Sequence, residues 1–517
     1  MTSPNKSNNA VLVIGGGITG IQSSLDLAKL GFNVYLVEKR PNIGGVMAQL
    51  DKLYPSMENS LYQLTPKMGD VLENPNIELF TYSEVKNVDG SVGDFKVTIL
   101  QHPRFVDGTK CDACDTCATV CPMVTVDKDF NLGLGKRKAA YTPFTQAVPK
   151  TYVIDKDICL YFNNKMCQSC QKLCPKGAIN FDQEPVERQI DVNAIIVATG
   201  ALRYNISNLS KYGYDFENVL TGLEFERILT SNGPTEGQII RISDRQIPET
   251  IAFIPLDSSK SQKAVAIKQS IESKERNPNI ECVVLMDGTL EDEKFATFIQ
   301  RSMADGVSYI DGIVSAVEED PDRKDLILQY KDKNSEENKE IKVNMAILFD
   351  QLHPSKEEMT QLASVLGLKL TKNGFFKKKS KSETVETKKA GVFAIGAGLQ
   401  PEDVALVLTD VNTVVSKIAS QFAPPELWTP KAFVETEYCI GCGYCREACP
   451  FYAISLQVVE LELPVAEVAG ISLKTRKAQV HESLCRGCGI CVSECPVQAI
   501  RYGDPQTLEQ VLSAPVE

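Results

Sequence analysis

Apolar and polar positions change period repeatedly along this chain, and the changes mark its elements. The run from Val11 to Ile14 is short, continuous and followed by glycine, the pattern of a buried strand. An amphipathic helical stretch follows the turn, and "NVYLVEK" returns as a second strand. The theme recurs in "IDVNAIIVATG", an apolar strand ending in a glycine turn, and in "TIAFIPLDSSKSQKAVAIKQSIES", read as strand, loop and helix. Late in the chain "GVFAIGAG" is a strand with a glycine-rich turn before the helical "VALVLTDVNTVVSKIAS". Such alternation predicts the α/β class. No apolar stretch approaches the ~20 residues of a membrane-spanning helix. The polar opening "MTSPNKSNNA" leads straight into a strand, so no signal peptide and a cytoplasmic location are expected.

The first turn carries Gly15, Gly17 and Gly20 between strand and helix. The first glycine makes the tight turn, the second admits a pyrophosphate, and the third lets helix and strand pack closely. Glu38, with Lys39 after it, ends the second strand 18 residues beyond Gly20, where a carboxylate can bond a ribose hydroxyl. These pieces, with Gly44 and Gly45, Gly200 and the turn ending at Gly398, resemble the FAD-contacting segments of glutathione- and thioredoxin-reductase-like flavoproteins. Ala397 departs from that pattern, where an aspartate often touches the ribityl chain. An unoccupied Rossmann-like fold is the bland alternative. The second strand–loop–helix unit has no glycine in its loop, so no nicotinamide site is expected there.

Composition changes the picture through one residue type. The chain has 517 residues, enough for two or three domains, and a net charge of −12, which argues against nucleic acid and a polybasic membrane anchor. Against three histidines it has 17 cysteines, and only Cys282, on the apolar "NIECVVLMDG", stands outside four tight groups. Cys282 reads as a buried structural thiol, and His102, His353 and His481 fit no ligand spacing.

The groups are Cys111, Cys114, Cys117 and Cys121; Cys159, Cys167, Cys170 and Cys174; Cys439, Cys442, Cys445 and Cys449; and Cys485, Cys488, Cys491 and Cys495. Each ends in Cys-Pro, giving the two-cluster ferredoxin signature twice. Three closely spaced thiolates wrap one [4Fe-4S] cluster, and the Cys-Pro cysteine reaches the neighbouring one. The expected sets are therefore Cys111, Cys114, Cys117 with Cys174, and Cys159, Cys167, Cys170 with Cys121. Near the C-terminus they are Cys439, Cys442, Cys445 with Cys495, and Cys485, Cys488, Cys491 with Cys449. Structural zinc, the alternative, favours separated cysteine pairs. "CLYFNNKMC" stretches one interval into a loop that either shields a cluster or docks a partner. "CIGCGYC" and "CRGCGIC" place glycines between ligands where "CDACDTC" puts Asp112 and Asp115, and their charge is expected to lower that cluster's potential.

The order of segments predicts an FAD domain in two parts, 1–105 and 181–424, interrupted by a ferredoxin unit at 106–180. The second part includes the nucleotide-binding-like unit without an NAD site. The Pro-rich "APPELWTP" then leads to a C-terminal ferredoxin domain at 425–517. One FAD and four [4Fe-4S] clusters make this an electron junction in which the cofactors carry the chemistry.

Through "GGVMAQLDKLYP", "LTPKM", "NPNIELFTYSEV" and "GVFAIGAGLQPED" the chain resembles the A subunit of heterodisulfide reductases. That resemblance implies a thioredoxin-reductase-like FAD fold in an oxidoreductase subunit that works within an oligomeric complex. The partners implied are a hydrogenase or dehydrogenase donor, disulfide-reductase-type subunits and ferredoxin, with electron bifurcation in several members. Lys67 of "LTPKM" is the candidate for tuning the flavin, and a surface lysine is the alternative. Two departures are notable. Asn59 and Tyr62 stand where the family usually has a cysteine pair, and "AFIPLDSSKSQKAVAIKQ" lacks its cysteine-bearing insertion. A trimmed relative without that extra cluster is expected. Competing readings are a relay beside a membrane cytochrome toward quinone, a scaffold with a vestigial flavin fold, and a stand-alone NAD(P)H oxidoreductase.

Overall fold

The apolar runs near Val11, Val34 and Ile195 are neighbouring strands of one parallel sheet. Its order is Val392–Ala394, Ala194–Val197, Ala10–Ile14, Asn33–Glu38, Ile77–Thr81, with Val11 opposite Ala194 and Val34 opposite Ile77. The computed structural model describes residues 9–502 apart from 201–203, 205, 258, 289–292, 352, 381–383, 397–398, 400–403, 423–430, 462–472, 482–483 and 486. The chain forms two compact units, Met1–Gln421 and Phe422–Glu517.

Parallel strands need covering on both faces, which explains their unbroken hydrophobicity. Leu12, Leu36 and Ile195 are fully buried, and the helix Ile18–Lys29 adds buried Ile21 and Leu27. Gly20 permits that helix to lie close, because a Cβ there would fall 1.8 Å from the Gly15 carbonyl oxygen.

Beside this sheet lie three antiparallel strands, Ser83–Ser91, Asp94–Gln101 and Val186–Val192. Gln101 pairs directly with Val186, so the chain leaves and rejoins the sheet at one point. The intervening stretch folds into short strands and the helices Thr116–Thr119, Leu160–Asn164 and Ser169–Leu173. The "CLYFNNKMC" loop supplies Leu160–Asn164, where Tyr161 stacks on Phe181 at 3.9 Å and Phe162 meets Phe105 at 4.4 Å between ring centroids.

A seven-stranded sheet completes the first unit. Five strands are parallel, from Val219–Thr221 through Met345–Phe349, Thr250–Pro255 and Glu281–Met286 to Val307–Glu319, and two antiparallel strands follow. Its helix Lys260–Arg276 begins at Ser259, whose hydroxyl accepts from the Gln262 amide at 3.4 Å. Cys282 is buried on its strand, and burial pushes its thiol up to about 12.

The 3-10 turn Gly45–Gln49 is clamped between these pieces. Gln49 Nε2 donates to the Phe130 carbonyl at 2.8 Å, and Arg227 Nη1 donates to the Gln49 carbonyl at 3.1 Å. The second unit is built on two hairpin-like pairs, Ala432–Val434 with Ile500–Tyr502 and Ile454–Leu461 with Leu473–Val480. Its core consists largely of alanines and the cysteines themselves. Among the described residues no helix is long and apolar enough to cross a membrane.

Candidate functional site

The first site is a trough free of side chains. Gly15 turns with φ +112°, a conformation open to glycine, and a Cβ there would fall 2.4 Å from the Ala198 carbonyl oxygen. The Gly44 amide donates to the Gly16 carbonyl at 2.7 Å, so residues 15–17 and 43–45 run side by side. A Cβ on Gly45 would stand 2.8 Å from the Gly17 Cα. Gly17 begins the helix Ile18–Lys29 with no side-chain cap, leaving amides directed at the trough. This backbone fits the pyrophosphate of a dinucleotide. Glu38 has one carboxylate oxygen on the Gly16 amide at 2.6 Å and the other on the Arg40 amide at 2.7 Å. Burial pushes its carboxyl up and the two amides oppose that rise.

The remaining candidates scatter around this loop. Gly200 ends its strand with φ +70° and open space on its Cβ side. Gly398, like Ala397, lies outside the described residues. Lys39 pairs with Glu358 at 2.9 Å on the surface. Lys67, on the helix Ser60–Glu73, donates to Gln22 Oε1 at 2.7 Å, which sets its cation on the helix that starts at Gly17. Asn59 caps the Lys67 helix by accepting from the Leu61 amide, and Tyr62 is 83% exposed.

The sixteen grouped cysteines surround four cavities. Cys111, Cys114, Cys117 and Cys174 ring one, and Cys121, Cys159, Cys167 and Cys170 ring the next. In the second unit Cys439, Cys442, Cys445 and Cys495 ring one, and Cys449, Cys485, Cys488 and Cys491 the other. Each cavity thus takes three thiols from one stretch and one from its neighbour. Among the described residues no three metal-binding side chains gather around a space sized for one ion. Four thiols around each cavity fit an iron–sulfur cluster with one thiolate at each corner.

The backbone around the thiols repeats. Gly441, Gly443, Gly487 and Gly489 are left-handed, at φ of 69°, 88°, 65° and 81°. The inserted unit adopts the same conformation with Ala113 at 58° and Asp115 at 64°, which strains non-glycine residues. Three Cys-Pro steps continue as "CPKGAI", "CPFYAI" and "CPVQAI". In each the alanine amide donates to the cysteine sulfur, at 3.3 Å for Ala178 to Cys174, 3.3 Å for Ala453 to Cys449 and 3.2 Å for Ala499 to Cys495. Cys121 departs, because "CPMVTV" turns directly into the strand Val124–Asp127. Two of the buried thiols resist ionisation when free. Burial, with Cys111 nearby, pushes Cys117 up to about 12, and burial with Cys488 nearby pushes Cys491 up to about 11. Iron coordination would reverse that by holding them as thiolates.

Asp112 and Asp115 line the first cavity. Lys176 approaches Asp112 at 3.5 Å, and the Tyr152 hydroxyl donates to Asp115. Replacing both aspartates with asparagine is expected to raise the midpoint potential of that centre by tens of millivolts in order of magnitude. An EPR-monitored titration checks this, and finding that centre highest of all in the unmodified protein would sink the idea.

Other contributors left no local pattern in the sequence. Gly16 and Arg40 position Glu38 through backbone amides alone. Lys138 and Lys477 donate to the Cys121 and Cys439 carbonyls, at 2.8 and 2.6 Å, from segments distant in sequence.

Comparison with known proteins places this geometry. Residues 438–499 match the 4Fe-4S dicluster domain family, and residues 13–55 the NAD(P)-binding Rossmann-like domain family. The chain is 38% identical over 465 residues to the iron-sulfur A subunit of the CoB--CoM heterodisulfide reductase of Methanocaldococcus jannaschii, covering 87% of this chain and 70% of that protein. It is 37% identical over 476 residues to the A subunit of the H(2):CoB-CoM heterodisulfide,ferredoxin reductase of Methanothermobacter marburgensis, covering 89% and 71%. The thioredoxin reductase of T. acidophilum is similar in structure over 80% of this chain and 99% of its own, with a TM-score of 0.46 and 13% identity.

Proposed function

The chain belongs to the family of heterodisulfide reductase A subunits, and on that footing we propose that it is the FAD- and iron–sulfur-dependent electron-relay component of such a complex. The observation that carries this reading is the set of four four-thiol cavities in a chain that also forms a dinucleotide trough. When bound, FAD exchanges electrons in pairs and iron–sulfur clusters exchange them singly, so together they convert one mode into the other.

The roles of the chain's residues follow from their positions. Gly15, Gly17, Gly20 and Gly45 keep side chains away from the dinucleotide, and Glu38 presents its remaining lone pairs to a ribose. The cross-grouped cysteines hold four clusters, and the amides on Cys174, Cys449 and Cys495 stabilise thiolate charge. With Asn59 in a cap and Tyr62 facing solvent, four clusters rather than five support the trimmed reading. Lys67 is proposed as a flavin-tuning cation. Lys67→Ala is expected to lower the flavin midpoint potential, and an unchanged potential would assign the lysine to its Gln22 contact alone.

The partners proposed are a hydrogenase- or dehydrogenase-type donor and a disulfide-reductase-type acceptor, with ferredoxin as a second exit. Purification from the native source without oxygen tests this. Recovery with a disulfide-reductase partner supports the relay role, whereas recovery with a membrane cytochrome alone would overturn the proposed acceptor.

A further inference from the structure

The stretch that follows the helix Lys356–Leu366 runs against the charge of the whole chain. Between Glu358 and Glu383 there are six lysines and no acidic residue, in a protein of net charge −12. Local structure gathers these lysines on a hairpin. The Lys377 amide donates to the Lys369 carbonyl at 2.9 Å, and the Thr371 amide to the Phe375 carbonyl at 2.7 Å. Lys372 and Asn373 form its tip, where the Gly374 amide closes on the Thr371 carbonyl at 3.2 Å. Phe376 and Leu370 root the hairpin in the core that holds Met359, Ala363 and Leu366. Beyond it Lys378 pairs with Thr387, which brings the stretch carrying Lys388 alongside.

Lys369, Lys372, Lys377 and Lys388 are exposed. Among the described residues no carboxylate lies within ion-pair reach of any of them. Glu386, two residues before Lys388, is already taken by Lys379 and Lys417, at 2.8 and 2.7 Å. Like charges on neighbouring strands repel, so the fold gains nothing from lysine at both 369 and 377. The face is complementary to an anion outside the chain.

The surface around these charges selects the kind of anion. Among the described residues from 367 to 391 no large hydrophobic side chain is exposed. Protein interfaces are built on apolar and aromatic anchors and are poor in lysine. An anionic lipid surface needs only charge density, and each lysine brought near it strengthens binding roughly fivefold. The negative charge of the rest of the chain does not forbid this. At physiological ionic strength, charges more than about 8 Å away are largely screened. Net charge therefore argues against a membrane-binding segment only where the acids lie beside the lysines.

We propose that the hairpin at 369–377, with Lys388 beside it, docks this protein on an anionic phospholipid surface. The contact is electrostatic and reversible by salt, because no apolar group is offered to the bilayer. It depends neither on the cofactors bound nor on which partner accepts the electrons.

The test is flotation of the full chain, purified without oxygen, with vesicles of phosphatidylglycerol or of phosphatidylcholine. The chain is expected to float with phosphatidylglycerol at low salt, to be released at high salt, and to ignore phosphatidylcholine. Replacing Lys369, Lys372 and Lys377 together by glutamine is expected to weaken binding roughly a hundredfold, whereas arginine at the same positions retains it. Should the triple variant not fold, Lys372→Gln at the tip is expected to weaken binding roughly fivefold. Failure to float with phosphatidylglycerol, equal flotation with both lipids, or undiminished binding by the glutamine variants overturns the proposal. Capture on polyglutamate beads by a chain that ignores phosphatidylglycerol also overturns it, and makes the face a site for an acidic protein.

Discussion

Cys174→Ala is expected to abolish the iron–sulfur centre held by Cys111, Cys114 and Cys117, more than fifty residues earlier in the chain. It should spare the centre built on its own sequence neighbours, Cys167 and Cys170. The reason is geometric. Cys174 closes the Cys111 cavity, while Cys121 closes the cavity of Cys159, Cys167 and Cys170. Losing a corner thiolate costs one whole centre, because three ligands leave an iron open to water and exchange.

The surrounding frame should survive the change. The inserted unit is tied at its ends by the Gln101–Val186 pairing and at its middle by the hydrogen bond from Gln49 of the Gly45–Gln49 turn to Phe130, neither of which involves a cysteine. Iron content should fall by one cluster's share, and EPR of the reduced protein should lose one set of features. Loss of the Cys167-containing centre instead would show that each cysteine group serves its own cluster.

Much of this arrangement is written locally. The strands are legible because parallel sheets need unbroken apolar runs, and Gly15 and Gly20 because a side chain there would strike backbone. The Cys-Pro steps are legible as repeats, and the divergent "CPMVTV" marks the step without the alanine amide bond. What escaped sequence reading is the chemistry assembled across long separations. Arg104 looks like any surface arginine until Pro41 and Thr81 meet around it in a buried site. Ala113 and Asp115 hide a left-handed backbone that glycine would have advertised. Glu226, Lys268, Glu272 and Asp51 come from three segments, so no window of sequence shows them together.

That last cluster carries the largest expected stability effect. Lys268 is 3% exposed, and its ammonium donates to the Lys52 carbonyl at 2.8 Å and to Glu226. Glu272 Oε2 lies 3.5 Å from the same nitrogen, yet neither Glu272 oxygen accepts a hydrogen bond. Lys268→Met would strand buried carboxylates and is expected to cost about 3–5 kcal/mol in chemical denaturation at neutral pH.

Glu272 should behave in the opposite way. Burial pushes its carboxyl well above the usual value of 4.5, and Lys268 only partly opposes this. A carboxyl raised in the folded state contributes stability that is full below the unfolded value and is lost as pH rises through the folded one. The unmodified protein should therefore lose stability with rising pH above the ordinary carboxyl range, by at most about 1.4 kcal/mol per pH unit from this group. Asp51, also raised by burial, adds a slope of the same sign. Glutamine mimics the neutral acid, so Glu272→Gln should cost less than about 1 kcal/mol near pH 5 and flatten the slope toward pH 8. Equal destabilisation by Glu272→Gln across that range would instead make Glu272 an ionised partner of Lys268. The group matters because the Asp51 amide donates to Glu226 at 2.8 Å, six residues beyond Gly45. A change of charge there acts on the segment that frames the dinucleotide trough.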